Sequence, residues 1–230
     1  MDIYSRRLLF SNKDSSSIPK GEVVFEKANA GMYSVNIPED GLYEIIAVGG
    51  GGGAGLMAIG GWQYTIAVAS NGGSGAIVHG IFKVLKGTIS VIVGALGKSA
   101  STASNGVAAS VDGGYTSVGL LCKVGGGGRG LAGFQNPVVQ QGGPAGKVIS
   151  HDEAALMKTI LIKDGNPGTF NRWWTGNRDG TVSVPIVNSP CPPYGAGSGG
   201  SATTRYRGAA SFGFTNGTAG YVKIIYQGRG

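Results

Sequence analysis

The alternation of apolar and polar positions marks strands towards both ends of the chain and almost no helix between them. Val23 to Lys27 and Tyr33 to Ile37 alternate as strands do, with Gly31 as a turn candidate between them. Pro38-Glu39-Asp40-Gly41 is a strong turn signal, because Pro presets φ, Asp bonds nearby backbone and Gly tolerates positive φ. Leu42 to Val48 then reads as a strand that runs into Gly49 to Gly53. Ala76 to Leu85 is a further strand, followed by a Lys86-Gly87 turn and the period-2 segment Thr88 to Val93. Gly114 to Val124 holds a short strand, Val182 to Val187 another, and Tyr221 to Tyr226 the last. Phe212 and Phe214, two apart, fit one face of a strand. Glu153 to Lys163 reads as helix or strand, with strand favoured for Thr159 to Lys163. Residues 56–66 make a poor helix, interrupted by Gly60 and Gly61, and residues 99–112 and 164–180 read as loops.

Turn signals about every 8–15 residues predict an all-β chain. The expected fold is an antiparallel β-sandwich of jelly-roll (TNF-like) type, with glycine-rich segments strung between its strands. Residues 1–20 read as an arm or linker and residues 21–230 as one glycine-rich domain.

Composition sharpens this picture. Forty-five of the 230 residues are glycine, against a usual share of about 7%. Each ordered glycine costs roughly 0.5–1 kcal/mol more than alanine. Close backbone packing, a dense hydrogen-bond lattice or burial in an oligomer must offset that cost. Nine prolines without a three-residue glycine period exclude collagen. With 41% hydrophobic and 13% charged residues, simple disorder is excluded as well. Cys122 and Cys191 are too few for a disulfide scaffold and are expected as free thiols. Those cysteines with His79 and His151 lack the paired spacing of a zinc site.

The formal net charge is +7, and the basic residues are dispersed. Such a pattern fits a solvated surface better than a specific anionic partner, whether nucleic acid, membrane surface or anionic glycan. Ser5-Arg6-Arg7-Leu8-Leu9-Phe10 looks like the start of a twin-arginine signal, but residues 11–17 are polar. Ile45 to Phe82 lacks Asp, Glu, Lys and Arg, yet Gly and polar residues interrupt it, so no membrane insertion is expected. The chain is expected to be made in a cytoplasm without a cleavable leader, a property shared by virion proteins released by lysis and by spore-coat proteins.

The glycine runs admit three readings. Flexible linkers are usually richer in Ser. A nucleotide-binding turn is suggested by Gly50, Gly52 and Gly55 after a strand, but no Asp or Glu lies between Glu44 and Asp112. Val93 to Ser99 resembles a phosphate loop, yet Ile92 stands where its first glycine belongs and no helix follows. The favoured reading is a bundle of polyglycine-II helices. These have three residues per turn and no internal hydrogen bonds, so neighbours must satisfy their backbone. Arg129-Gly130, Arg207-Gly208 and Arg229-Gly230 are too isolated for an arginine–glycine RNA-binding repeat. His151-Asp152-Glu153, the densest acid–base cluster, fits a surface turn. No enzyme and no cofactor are expected.

Gly41 to Gly55 (GLYEIIAVGGGGGAG) resembles the glycine-rich domain of phage tail fibres and related surface proteins. The pattern continues at Lys86 to Gly94, Gly113 to Val118, Gly125 to Gly130 and Gly220 to Tyr226, so it spans roughly residues 21–226. The resemblance implies a β-sandwich carrying polyglycine-II helices, as in tip adhesins of T-even-like phages, whose glycine-helix loops touch the host receptor. The runs here are fewer and shorter, which implies a small block.

Under that resemblance the aromatic stretch Phe170 to Asp179 is the candidate contact, with Asn171, Arg172, Trp173, Trp174, Asn177 and Arg178. Trp62, Tyr64 and Tyr206 (within Arg205-Tyr206-Arg207) come second. The alternative is that Trp173 and Trp174 cap the core or an oligomer interface. Two functions follow. One is a non-enzymatic virion protein, a fibre or adhesin, favoured as a homotrimer that binds a host glycan or outer-surface protein. The other is a self-assembling subunit, a capsid decoration or a filament on a bacterial or spore surface. In either case residues 1–20 would dock on neighbouring virion or appendage proteins.

Overall fold

In a computed structural model describing residues 18–61, 65–104, 106–134, 139–176 and 178–230, the chain shuttles between two β bodies. β1 (Val23–Lys27), β2 (Gly31–Ile37) and β3 (Gly41–Val48) belong to the first, termed the base. The chain crosses to the second, the head, for β4 (Gly55–Gly60) and β5 (Thr65–Ser70). It returns for β6 (Ile77–Val84) and β7 (Gly87–Val93), then crosses for β8 (Ala100–Thr102) and β9 (Gly106–Val107). β10 (Thr116–Val118) and β11 (Cys122–Val124) are in the base, β12 (Leu131–Phe134) and β13 (Val139–Gln141) in the head. β14 (Val148–His151) and β15 (Leu156–Lys163) return to the base. β16 (Phe170–Thr175), β17 (Gly180–Val184), β18 (Gly200–Thr204) and β19 (Ser211–Phe214) complete the head, and β20 (Tyr221–Gly228) closes the base. Eight crossings result, each through a glycine-bearing segment. No described residue is helical, so the all-β expectation holds, and within Glu153 to Lys163 a turn at residues 153–155 leads into the strand Leu156–Lys163.

The base is an antiparallel sandwich. Its sheets have the orders β1-β20-β3-β6-β15 and β14-β11-β10-β7-β2. Strict alternation along β3 turns Tyr43, Ile45 and Ala47 inward, while Glu44 and Ile46 face out. They pack with Val78 and Phe82 of β6 and Ile224 and Tyr226 of β20 against Val35, Val91, Val118 and Val124 of the facing sheet. Burial of this core drives the fold at about 25 cal/mol per Å² of apolar surface. Cys122 lies within it, and burial pushes its thiol up to about 12. Cys122 and the half-buried Cys191 are both free.

The head has three layers. A central sheet of order β16-β5-β4-β8 is flanked by β17-β18-β19 on one face and β13-β12-β9 on the other. Leu56, Ala58, Ala67 and Ala69 pack against Val182, Val184 and Ala202. Met57, Ile66 and Val68 face Ala132. β4 pairs with β8 in parallel, and the other named head pairings are antiparallel. Within residues 56–66, a poor helix by sequence, Leu56 to Gly60 and Thr65 to Ile66 lie in the paired strands β4 and β5. Two sequence expectations are corrected here: the supposed loop 99–112 contains β8 and β9, and the supposed loop 164–180 contains β16. A strand buried on both faces, as β5 is, shows no alternation to detect.

Between base and head the crossing segments bond side by side. Gly49 and Gly52 donate to carbonyls of the same neighbour, Ala76 and Gly73, each at 2.9 Å. Gly50 and Gly53 donate to Gly114 and Val111, again at 2.9 Å, and Gly51 to Thr218 at 2.8 Å. Acceptors follow the same rule: Gly50 and Gly53 receive from Gly127 and Gly130, Gly51 from Gly97 and Gly52 from Ser198. The partner thus recurs every third residue. Residues 49–53 are surrounded by the segments 71–76, 94–99, 108–114, 125–130, 195–199 and 215–220.

Candidate binding surface

Strand registers gather the head's connections at the pole farthest from the base. Gly60 pairs with Thr65, and Thr65 with Thr175, so the β4–β5 and β16–β17 connections emerge side by side. Gly180 pairs with Thr204, and the Arg205 carbonyl lies against Gly60, which adds the β18–β19 connection. Phe134 packs in the cluster of Ile59 and places the end of β12 there too. The Tyr206 amide donates to Asp179 Oδ1 at 2.9 Å and ties the β16–β17 and β18–β19 connections together.

β16 is the edge of the central sheet, and alternation splits its side chains between two faces. Trp173 turns towards β17 and its ring covers Gly180, where any Cβ would collide with the indole. That packing explains why a glycine opens β17. Trp174 faces the other way and is 55% exposed, with Phe170 at 49%. Arg172 shares their face, its guanidinium carbon 6.0 Å from the Trp174 ring centroid. Arg207 sits over the Tyr206 ring at 5.1 Å, with φ of 54°. Asn171, Arg178 and Arg205 are exposed and Tyr206 is half-buried. Trp62, Tyr64 and Asn177 lie outside the described residues.

Composition separates head from base. The head comprises residues 54–70, 100–107, 131–141, 170–184 and 200–214. Its described residues contain Trp173, Trp174 and the arginines 172, 178, 205 and 207, but no lysine and no glutamate. Interface centres have that bias, enriched in Trp, Tyr and Arg and depleted in Lys and Glu. Reading the chain linearly missed it, because the head is assembled from five separate stretches.

The other sequence motifs serve structure. The amides of Gly50, Gly52 and Gly97 donate to backbone carbonyls, and Ser99 N donates to Asn216 Oδ1 at 2.9 Å. A phosphate would have to displace those bonds. Asp152 accepts from the Ala154 and Ala155 amides at 3.0 and 3.2 Å, which shapes the β14–β15 turn. Among the described residues no three His, Cys, Asp or Glu side chains are placed to hold a metal ion.

Residues 27–230 match the model of a family described as a glycine-rich domain. No curated protein matches the chain.

Proposed function

The chain belongs to the glycine-rich domain family, and from that premise we propose a non-enzymatic surface protein of the phage tail-fibre or adhesin type. Its head meets a host cell surface, and its base faces the particle, where the segment around Gly21 joins β20 through the Tyr226 carbonyl at 2.7 Å. The observation that carries this reading is the Trp- and Arg-bearing, Lys- and Glu-free composition of the head's described residues. The crossing segments act as polyglycine-II helices, a reading supported by partners that recur every third residue. A bundle bonded on six sides holds the pole rigidly, so binding loses little conformational entropy.

The test is decoration of a panel of bacterial strains by the labelled chain, with its mass measured by light scattering. Binding to a subset of strains by a discrete oligomer, a trimer foremost, is the expected result. Failure to decorate any strain, or equal decoration of all, contradicts it. A second reading, a self-assembling structural subunit, draws on apolar side chains at the base: Leu120 is 95% exposed and Met32 78%. Open-ended polymers in the same scattering measurement would favour that reading.

A further inference from the structure

The outward face of the base sheet β1-β20-β3-β6-β15 is apolar where water would favour polar side chains. At the end nearest the head, Cys191 and Tyr194 pack over Val48, Ile77 and Tyr221. Beyond that cover one register row crosses all five strands: Val23, Ile225, Glu44, Ile81 and Lys158. Val23 is 43% exposed, and Ile225, Ile81 and the neighbouring Leu42 are half-buried. None of these four joins a described hydrophobic cluster. The facing sheet shows the ordinary pattern of an antiparallel sheet with one wet side. Its outward positions towards the same far pole are Ser34, Asn36, Thr88 and Ser90.

The one acid in the row is already served. Glu44 Oε1 lies 2.7 Å from His79 Nε2, and Glu44 Oε2 accepts Gln227 Nε2 at 2.8 Å. Protein laid over this row would leave neither oxygen unmet, which is the condition for burying a charge. The two edges of the sheet carry unlike charge. β15 bears Lys158 and Lys163 and no acid. Both lysines are exposed and enter no salt bridge among the described residues. The opposite edge carries Glu26, paired with Lys223, and the exposed Glu22 just before β1. Lys27 is in register with core-facing Val222 and turns from this face.

We infer that a second copy of this chain covers this face, in a cyclic oligomer whose axis runs along the strands. The β1 edge of each copy then meets the β15 edge of the next, carboxylates against lysines, and the apolar row is enclosed. Unlike edges select this axis, because joining like edges would oppose lysine to lysine. Every head then projects from the same end, as contact with a cell surface requires. The inference rests on the proposed homo-oligomer and names the face that builds it.

The test measures the mass of the full chain by sedimentation at several concentrations, beside Ile81→Asp, Ile225→Asp and, on the facing sheet, Ser90→Asp. Each of the first two is expected to weaken association roughly tenfold or more, since an unpaired carboxylate enters an apolar contact. Ser90→Asp is expected to leave the mass unchanged, and an unchanged melting temperature shows that the variants fold. A second measurement keeps the contact intact. Val23→Cys with Lys158→Cys, in a Cys191→Ser background, is treated with a short bis-maleimide. The two edges of one sheet lie roughly 19 Å apart, beyond the linker, so only copies meeting edge to edge are joined. Covalent oligomers are expected from the double variant and none from either single cysteine variant. An oligomer that both aspartate variants leave intact overturns the inference, as does cross-linking by a single cysteine variant, which would join like edges. So does a monomer at every concentration, and if that monomer decorates a subset of strains the surface-protein reading stands. Oligomers built through this face that decorate no strain would do the reverse.

Discussion

At Gly51 a methyl group would run into the Ala196 carbonyl, and at Gly52 into that of Gly128. Both obstacles are backbone, which cannot swing aside as a side chain can. Gly51→Ala is therefore expected to cost about 3 kcal/mol or more, despite the gain of up to about 1 kcal/mol that Gly→Ala gives where the backbone permits it. Gly176→Ala is the control, since nothing lies within 4 Å of the added atom. Denaturant midpoints of the two variants check this, and equal midpoints would show that the block yields. The two adjacent tryptophans separate in the same way. Trp173→Ala strips the cover from Gly180 and is expected to cost about 2–3 kcal/mol. Trp174→Ala leaves that packing intact and is expected to change stability by under about 1 kcal/mol while weakening cell decoration.

At the scale of elements, β1 is fastened to β20 by Glu26, which accepts the Tyr221 hydroxyl at 2.6 Å and pairs with Lys223 at 3.1 Å. The Tyr221 hydrogen bond first, then Lys223, holds the Glu26 carboxyl below the usual glutamate range. Lys147 and the Val148 amide do the same for Asp164 beside β15. A carboxyl whose pKa is depressed by folding stabilises above its unfolded value and loses that contribution as pH falls through the folded one. Acid unfolding of Glu26→Gln is thus expected to depend less steeply on pH below about 4. A profile parallel to the parent's would mean that Glu26 does not anchor β1.

Which elements were legible follows from how they are buried. β2, β3 and β7 have one wet face, so their alternation is visible in the chain. β4 and β5 lie between two sheets, and Leu56 to Ile59 reads as an unbroken apolar run. β16 hid for the opposite reason: as an edge strand it leaves Arg172 and Trp174 exposed, and Trp173 is its main inward anchor. Tyr206 and Trp174 were visible as residue types. Their shared pole was not, because it depends on the Gly60–Thr65, Thr65–Thr175 and Gly180–Thr204 registers.

At the scale of the whole molecule, glycine replaces side-chain packing between base and head. Without a Cβ, eight crossings approach closely enough for each backbone to serve its neighbours. The central claim is that this block is a rigid strut and not a set of linkers. Amide hydrogen exchange at Gly50, Gly51, Gly52 and Gly53 tests it most directly. A strut predicts protection comparable to that of Ile45 and Ile224 in the base core, because all these amides would open only with global unfolding. Exchange at the rate of an unstructured chain would contradict the strut and leave the head tethered instead of held.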